Sequence, residues 1–200
     1  MNYQKKSNYL FSKLAKSKDV IPTERVGRYK DHSGLEKKIF KDILKKLDLK
    51  KNDNLIDIGC GCGPIVDKLI KYSYEKKFTI TLCDIPDVIK ILKKKYSKFS
   101  HIKFLDGEFQ KKKFNKKFNK ILCYSVIQYS NVPKKFLRKI INILRVDGKA
   151  LIGDIPNIDK KYRFLKSKFG RVFEQKRNKK NIKIKNLKNY IKSTNQNTLI

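Results

Sequence analysis

Two kinds of chemistry are compatible with residues 55–65, which read LIDIGCGCGPI. Cys60 and Cys62 could hold a metal ion, because thiolates are common zinc ligands. Structural zinc sites, however, usually place about two to four residues between paired Cys, whereas a single residue separates this pair. We therefore predict no metal site, and we interpret both Cys as small apolar residues of a glycine-rich turn.

Gly59, Gly61 and Gly63 follow an apolar run and precede a helical pattern. Glycine allows the backbone to approach a ligand closely, and the N-terminus of the following helix attracts negative charge. A dinucleotide-binding turn requires G-x-G-x-x-G. Here Pro64 occupies the place of the third glycine, and the pattern is D-x-G-x-G-x-G, beginning at Asp57.

This pattern resembles motif I of the class I S-adenosylmethionine-dependent methyltransferases. The resemblance implies that S-adenosylmethionine is the cofactor. It assigns five residues of the turn to cofactor binding, namely Asp57, Gly59, Cys60, Gly61 and Gly63. In the family the acid at the position of Asp57 supports the loop and lies near the methionine amino group.

Further matches follow in order along the chain. The segment FTITLCDIPDV ends its apolar run at Asp84, where a carboxylate can accept hydrogen bonds from both ribose hydroxyls. Ile85 beside it can pack on the adenine ring. The segment FLDGEF resembles the family's "GD-aromatic" segment, which assigns Glu108 to the adenine amino group and Phe109 to a backbone N–H contact. Asp106 is the alternative occupant of the role given to Glu108.

The segment FNKILCYSVIQY resembles the motif IV strand, whose end lies beside the reactive methyl group. This match assigns Tyr124 to the cofactor site, and Tyr124, Ser125 and Gln128 could also contact the acceptor. An oxygen acceptor benefits from a base that removes its proton. The candidate catalytic residues are Asp154, at the end of the predicted fifth strand, and His32 in YKDHSG.

Strand-like and helical patterns alternate through the part of the chain that carries these residues. Predicted strands cover 54–58, 78–83, 101–105, 120–126 and 149–155, and predicted helices cover 33–48, 65–74, 88–96 and 136–144. This alternation predicts an α/β fold, with a Rossmann-like, mostly parallel sheet and helices on both faces. Ligands then collect at the carboxyl ends of the strands. The segment after residue 156 is polar, so we expect the family's final antiparallel hairpin to be reduced or missing.

Three regions are predicted from composition and periodicity. Residues 1–32 form a basic N-terminal arm with little periodicity, and residues 33–156 form the S-adenosylmethionine-binding domain. Residues 157–200 form a basic C-terminal tail with helical potential. The sequence contains neither an apolar run long enough for a membrane span nor a secretory signal, so we expect no membrane partner and a cytoplasmic location.

The formal net charge of +33 is compatible with a nucleic-acid partner. The excess, however, is mostly Lys, spread along the chain together with Asn and Ile, and a genome rich in A and T would produce the same composition. Arg, which suits bidentate phosphate contacts, is scarce. The charge therefore does not by itself favour nucleic acid over a small anionic substrate.

Two absent motifs narrow the acceptor. After strand four the chain reads CYSVIQYS and lacks the Asn/Asp-Pro-Pro-aromatic segment of enzymes that methylate exocyclic base amines. The Pro-Cys nucleophile of cytosine C5 enzymes is also absent. We favour a small-molecule acceptor, such as a hydroxyl of a sugar or an anionic metabolite. RNA methylation through the basic surface, and a non-catalytic binding protein that retains the fold, are the alternatives.

Overall fold

The computed structural model describes residues 3–28, 34–168, 170–172 and 174. The chain divides into two compact units, residues 1–155 and 156–200. The elements of the first unit are α1 (Tyr3–Lys16), α2 (Pro22–Arg25), α3 (Glu36–Leu47), β1 (Asn54–Ile58), α4 (Pro64–Lys76), β2 (Thr79–Asp84), α5 (Pro86–Tyr96), β3 (Ile102–Asp106), β4 (Phe118–Tyr124), α6 (Pro133–Ile143) and β5 (Leu144–Gly153). The second unit contains α7 (Ile158–Lys166), which begins where the side chain of Asn157 accepts a hydrogen bond from the backbone N–H of Lys160 at 2.8 Å.

The strands form one sheet in the order β3-β2-β1-β4-β5. Each neighbouring pair is parallel. The chain builds outward from β1 to β3 and then crosses to the other side of β1 to place β4. This reversal opens a crevice at the carboxyl ends of β1 and β4, where ligands bind in sheets of this type. The predicted Rossmann-like parallel sheet is confirmed.

Helices cover both faces of the sheet, as predicted. Successive side chains of β1 point to opposite faces, so neighbouring residues enter different cores. Leu55 is buried with apolar residues of α3, α4 and α5, whereas Ile56 is buried with Phe136 and Ile140 of α6. Near-continuous burial of β1 is the expected pattern for a central parallel strand.

The N-terminal segment is helical, whereas the sequence predicted an arm with little periodicity. The buried residues of α1 are Ser7 and Ala15, both small, so the face that packs against the protein gives no strong apolar pattern. The hydroxyl of Ser12 donates to the carboxylate of Asp87 at the start of α5. The segment is therefore docked on the sheet domain through specific contacts.

The C-terminal region is described only in part. Helix α7 lies within the tail for which helical potential was predicted. Residues 175–200 lie outside the described residues, and the expectation of a reduced or missing final hairpin falls partly on them. Strand β5 begins at Leu144, five residues before the predicted start at 149, because α6 leads directly into it and its pairing with β4 is irregular near Phe118.

Candidate active site

The glycine turn between β1 and α4 has a backbone that requires glycine at two positions. Gly59 has a φ of +70° and Gly61 has a φ of +63°, a region that residues with a side chain rarely adopt. A Cβ atom on Gly59 would lie 2.4 Å from a methyl carbon of Val126, and one on Gly61 would lie 2.6 Å from a methyl carbon of Val26. The turn is therefore closely covered by two other segments of the chain.

Asp84, at the end of β2, holds this turn in place. The backbone N–H of Gly61 donates to Oδ2 of Asp84 at 2.7 Å, and the N–H of Ile85 donates to Oδ1 at 2.7 Å. Each carboxylate oxygen keeps acceptor capacity for a ligand hydroxyl. Burial raises the pKa of Asp84 to about 6, and the two backbone hydrogen bonds oppose that shift.

Asp57 is the second acid at this edge, and its side chain is almost fully buried. Burial and, to a lesser extent, the charge of Asp84 raise the pKa of Asp57 to about 8. A buried carboxyl group next to another acid is stabilised by a cation. This position therefore suits a positively charged part of a ligand.

A narrow cleft extends from Asp84 towards the segment after β3. It is lined by Asp84, Ile85, Glu108 and Phe109 together with backbone of the glycine turn, and its volume is about 100 Å³. The carboxylate of Glu108 lies 3.1 Å from Nζ of Lys111. The described lining includes Glu108 but not Asp106, which favours Glu108 for the role that the sequence left open between them.

Two further residues of this cleft, Gln4 and Asn8, come from α1 and were missed in the sequence. The amide of Asn131, after β4, donates to Oε1 of Gln4 at 3.2 Å. At the other end of α1, Nζ of Lys16 lies 2.9 Å from Oδ1 of Asp87. Helix α1 is thus held at both ends, by the segment after β4 and by the start of α5. The signal for this helix in the sequence was the spacing of Gln4, Asn8 and Ala15, which places all three on one face of a helix.

A different cluster lies at the carboxyl ends of β4 and β5. Nη2 of Arg28 lies 3.7 Å from Oδ2 of Asp154, and the guanidinium carbon lies 5.9 Å from the ring centroid of Tyr124. Burial and the neighbouring Asp154 raise the pKa of Tyr124, while Arg28 opposes the shift. Ser125 and Asp154 both have left-handed backbones, with φ of 62° and 55°. Such conformations outside glycine are uncommon and concentrate at functional sites.

Two buried polar atoms of residues close in sequence to this cluster lack hydrogen-bond partners among the described residues. They are Nε of Arg25 and Oε1 of Gln128. The other end of the Gln128 amide donates to the hydroxyl of Ser125 at 3.3 Å. Sequence reasoning missed Arg25 and Arg28, although two Arg so close together stand out in a chain whose cations are mostly Lys. His32 lies outside the described residues, so its place in the site stays a prediction.

The four Cys are neutral, packed side chains in this structure. Burial raises the pKa of Cys83 and of Cys123 to about 12, and it raises the pKa of Cys60 and Cys62 as well. Within the described part of the chain, three or more His, Cys, Asp or Glu side chains do not come together as a metal site. The Cys of the turn act as small apolar residues in contact with the core.

A parallel sheet with a glycine turn after its central strand and an acid at the tip of the next strand defines a class of nucleotide-cofactor protein. The family model described as "Methyltransferase domain" matches residues 49–196, and this chain belongs to the class I S-adenosylmethionine-dependent methyltransferases. The cofactor of the family, and of this chain, is S-adenosylmethionine.

The relatives have different acceptors. The chain is 28% identical over 142 residues to the ribosomal RNA small subunit methyltransferase A of Borreliella afzelii, covering 70% of this chain and 48% of that protein. It is 25% identical over 108 residues to the malonyl-[acyl-carrier protein] O-methyltransferase of Porphyromonas gingivalis, covering 54% of this chain and 40% of that protein. The chain therefore spans less than half the length of these two relatives.

The fold also matches solved structures. The N-methyltransferase NodS from Bradyrhizobium japonicum, in complex with S-adenosyl-L-homocysteine, superposes with a TM-score of 0.58 and 17% identity. The match covers 72% of this chain and 70% of NodS. At this identity the likeness establishes the fold alone. Within the described residues, no helix has both the length and the apolar character needed to cross a membrane.

The residues that line the cleft have the chemistry that the cofactor requires, but the cleft is too small to hold the whole cofactor. Asp84 suits the ribose hydroxyls, the backbone of the glycine turn suits the methionine group, and the half-buried Ile85 suits the adenine ring. A cleft of about 100 Å³ is smaller than typical small-molecule sites of roughly 300–1,000 Å³. Gln4 and Asn8 lie on one side of this cleft, so α1 limits its volume.

Proposed function

We propose that this chain transfers the methyl group of S-adenosylmethionine to an oxygen atom of a small anionic acceptor bound over the ends of β4 and β5. The observation that carries this proposal is the cluster of Arg28, Tyr124 and Asp154. It lies at the opposite half of the crevice from Asp84 and Glu108. Cofactor and acceptor would then occupy separate halves of the crevice, on either side of β1.

The nucleoside half of the cofactor would be held by Asp84 and Glu108, and the methionine half by Asp57 and the glycine turn. When bound, the cofactor supplies a methyl group activated by a sulfonium centre. Methyl transfer depends mainly on alignment of the two reactants and exclusion of water. In this chain Val26 and Val126 cover the glycine turn closely, which would help to exclude water and hold the cofactor in place.

On the acceptor side, Asp154 would accept the proton of a hydroxyl group, and Arg28 would bind a negative group of the acceptor. The Arg28 side chain is only 17% exposed, and its distance of 3.7 Å from Asp154 leaves donors free for a ligand. Methylation of an oxygen atom is supported by the malonyl-[acyl-carrier protein] O-methyltransferase relative. His32 is proposed as a second candidate base from the adjoining segment.

The test is transfer of a radiolabelled methyl group from S-adenosylmethionine into the anionic metabolite fraction of cell extracts, followed by kinetics on the labelled acceptor. Asp154→Asn should lower kcat by about 10²-fold or more, a typical contribution of a general base. Arg28→Gln should mainly raise KM for the acceptor. Neither change should alter the affinity for S-adenosylhomocysteine, because both residues lie away from the cofactor cleft.

Arg145 and Asp147 provide matched controls, because they pair with each other at 3.1 Å in an exposed segment of β5. Arg145→Gln and Asp147→Asn remove the same charges without touching the crevice. If the control variants and the site variants had the same kinetics, the proposed acceptor site would be wrong.

A second candidate function is methylation of RNA, supported by the ribosomal RNA methyltransferase relative. In that case the label would enter the RNA fraction of the extract instead of the metabolite fraction. The third alternative is a binding protein without turnover. Binding of the cofactor without label in either fraction would support it.

A further inference from the structure

The charge of this chain is not evenly distributed. Residues 109–143 contain ten Lys or Arg and no Asp or Glu, whereas residues 36–108 contain seventeen Lys or Arg and eleven Asp or Glu. A biased genome explains the abundance of Lys throughout. It does not explain why the acids that accompany Lys elsewhere are missing from one segment of the structure.

Residues 109–143, which contain no Asp or Glu, form a groove between α6 and the loop that precedes β4. The groove is a depression of about 400 Å³, lined by Lys112, Phe114, Lys135, Arg138 and Lys139. The side chains of Lys135 and Arg138 project from the exposed face of α6, whereas Phe114 and Lys139 are half-buried. We refer to these five residues as the basic groove.

Lys139 fixes the shape of the basic groove. Its Nζ donates to the backbone carbonyl of Gln110 at 2.7 Å and also to that of Lys112, which ties the loop to α6. The same Nζ lies 5.6 Å from the ring centroid of Phe114. Burial lowers the pKa of Lys139. The floor of the groove is therefore a fixed cation beside an aromatic ring.

Two exposed cations of the groove have no acidic partner. Lys135 and Arg138 make no ion pair within the described part of the chain. Lys112 pairs with Asp106 at 3.7 Å. The two unpaired cations are neutralised only by solvent ions, which a polyanion would release on binding.

The groove backs onto the cofactor cleft but does not open into it. The rings of Phe109 and Phe136, with centroids 5.0 Å apart, line the cleft on one side. Nζ of Lys139 lies 5.5 Å from the Phe109 centroid on the groove side. The basic groove thus lies behind the proposed nucleoside end, away from Arg28 and Asp154.

We propose that the basic groove binds the phosphodiester backbone of a single-stranded nucleic acid, with Lys135 and Arg138 on the phosphates and Phe114 against a base. Proteins that bind single-stranded nucleic acids combine guanidinium and ammonium groups with an accessible aromatic ring. A duplex would keep its bases stacked inside, so none of them could stack on Phe114. The inference does not depend on the acceptor proposed above.

The test measures the binding of a fluorescent oligouridylate and an oligothymidylate, each of about twelve nucleotides, to the full chain by anisotropy at several salt concentrations. The groove variant is Lys135→Gln/Arg138→Gln. The matched control is Lys93→Gln/Lys94→Gln, which removes two exposed cations from α5. Each lost phosphate contact should reduce the slope of log K against log salt by about 0.7.

We expect the groove variant to bind at least about 10-fold more weakly, with a slope smaller by about 1.4, while the control changes by less than about 2-fold. Equal weakening of the groove variant and the control would overturn the proposal, because binding would then follow net charge alone. Competition by polyglutamate as effective as by oligouridylate would also overturn it.

Discussion

The backbone N–H of Gly61 donates to the carboxylate of Asp84 at 2.7 Å, and this bond joins the turn after β1 to the tip of β2. The acid proposed to bind ribose therefore also fixes the loop that borders the same cleft. A turn that is already held in its binding geometry loses less entropy when a ligand binds. The glycine turn and the acid at the tip of β2 are separate motifs in the sequence, but they form one structural unit.

The glycine turn should be intolerant of side chains. Gly59→Ala places a Cβ atom 2.4 Å from Val126 and keeps a left-handed backbone, which alone costs about 1–2 kcal/mol. We expect a clear loss of thermal stability together with loss of cofactor binding. Gly34→Ala is the control, since a Cβ atom there meets nothing within 4 Å. Equal melting temperatures for the two variants would contradict the described turn.

The stability of the free protein should depend on Asp57 in a defined direction. The pKa of this carboxyl is raised from 3.8 to about 8, so the folded chain binds a proton that the unfolded chain has released. The free energy of unfolding then falls as pH rises from about 4 to about 8. Asp57→Asn removes this cost, and its stability relative to the unmodified chain should increase across that range.

Thermal unfolding at several pH values measures this effect, with Asp42→Asn, whose side chain is only partly buried, as the control. Cofactor binding adds positive charge near Asp57 and should lower its pKa, so binding of S-adenosylmethionine near pH 7 should release protons. Calorimetry in buffers of different ionisation enthalpy detects that release. A stability difference between the Asp57→Asn variant and the unmodified chain that is flat with pH would contradict the buried, protonated carboxyl.

Helix α1 should respond to the cofactor. Gln4 and Asn8 line the cleft, so a bound nucleoside would pack against α1. We expect Asn8→Ala to weaken binding of S-adenosylhomocysteine by roughly 3–10-fold, the effect of one hydrogen bond. The neighbouring Tyr9, which is 68% exposed, provides the control variant Tyr9→Ala.

Amide hydrogen exchange gives an independent measurement of the same relationship. Protection of residues 3–16 should increase on addition of S-adenosylhomocysteine, because the ligand would pack against α1 and stabilise it. Exchange of α1 that is unchanged by the ligand, while the glycine turn becomes protected, would show that α1 is not part of the cofactor site.

The central fold was predictable because its signals are local. The strand NLIDI, the turn glycines and the acid at the tip of β2 are each defined by a few consecutive residues, and the predicted bounds of β1 agree with the structure. Parallel strands then bring Asp57 and Asp84 to one edge without further information. The parallel five-stranded sheet confirms this reasoning.

The contributions of the N-terminal segment were not predictable in the same way. Helix α1 packs through Ser7 and Ala15, so its buried face lacks the large apolar residues that reveal a helix. Arg28 reaches Asp154 across more than a hundred residues of sequence, and only the fold brings them together. Contacts of this kind depend on tertiary packing rather than on local pattern.

Titration of S-adenosylmethionine into the full chain by calorimetry tests the cofactor site most directly. The unmodified protein and the control Asp42→Asn should bind one equivalent with equal affinity. Asp84→Asn should bind at least about 10-fold more weakly, because a hydrogen bond to a charged group contributes roughly 1.5–3 kcal/mol. An unchanged dissociation constant for Asp84→Asn would contradict the assignment of this cleft to the cofactor.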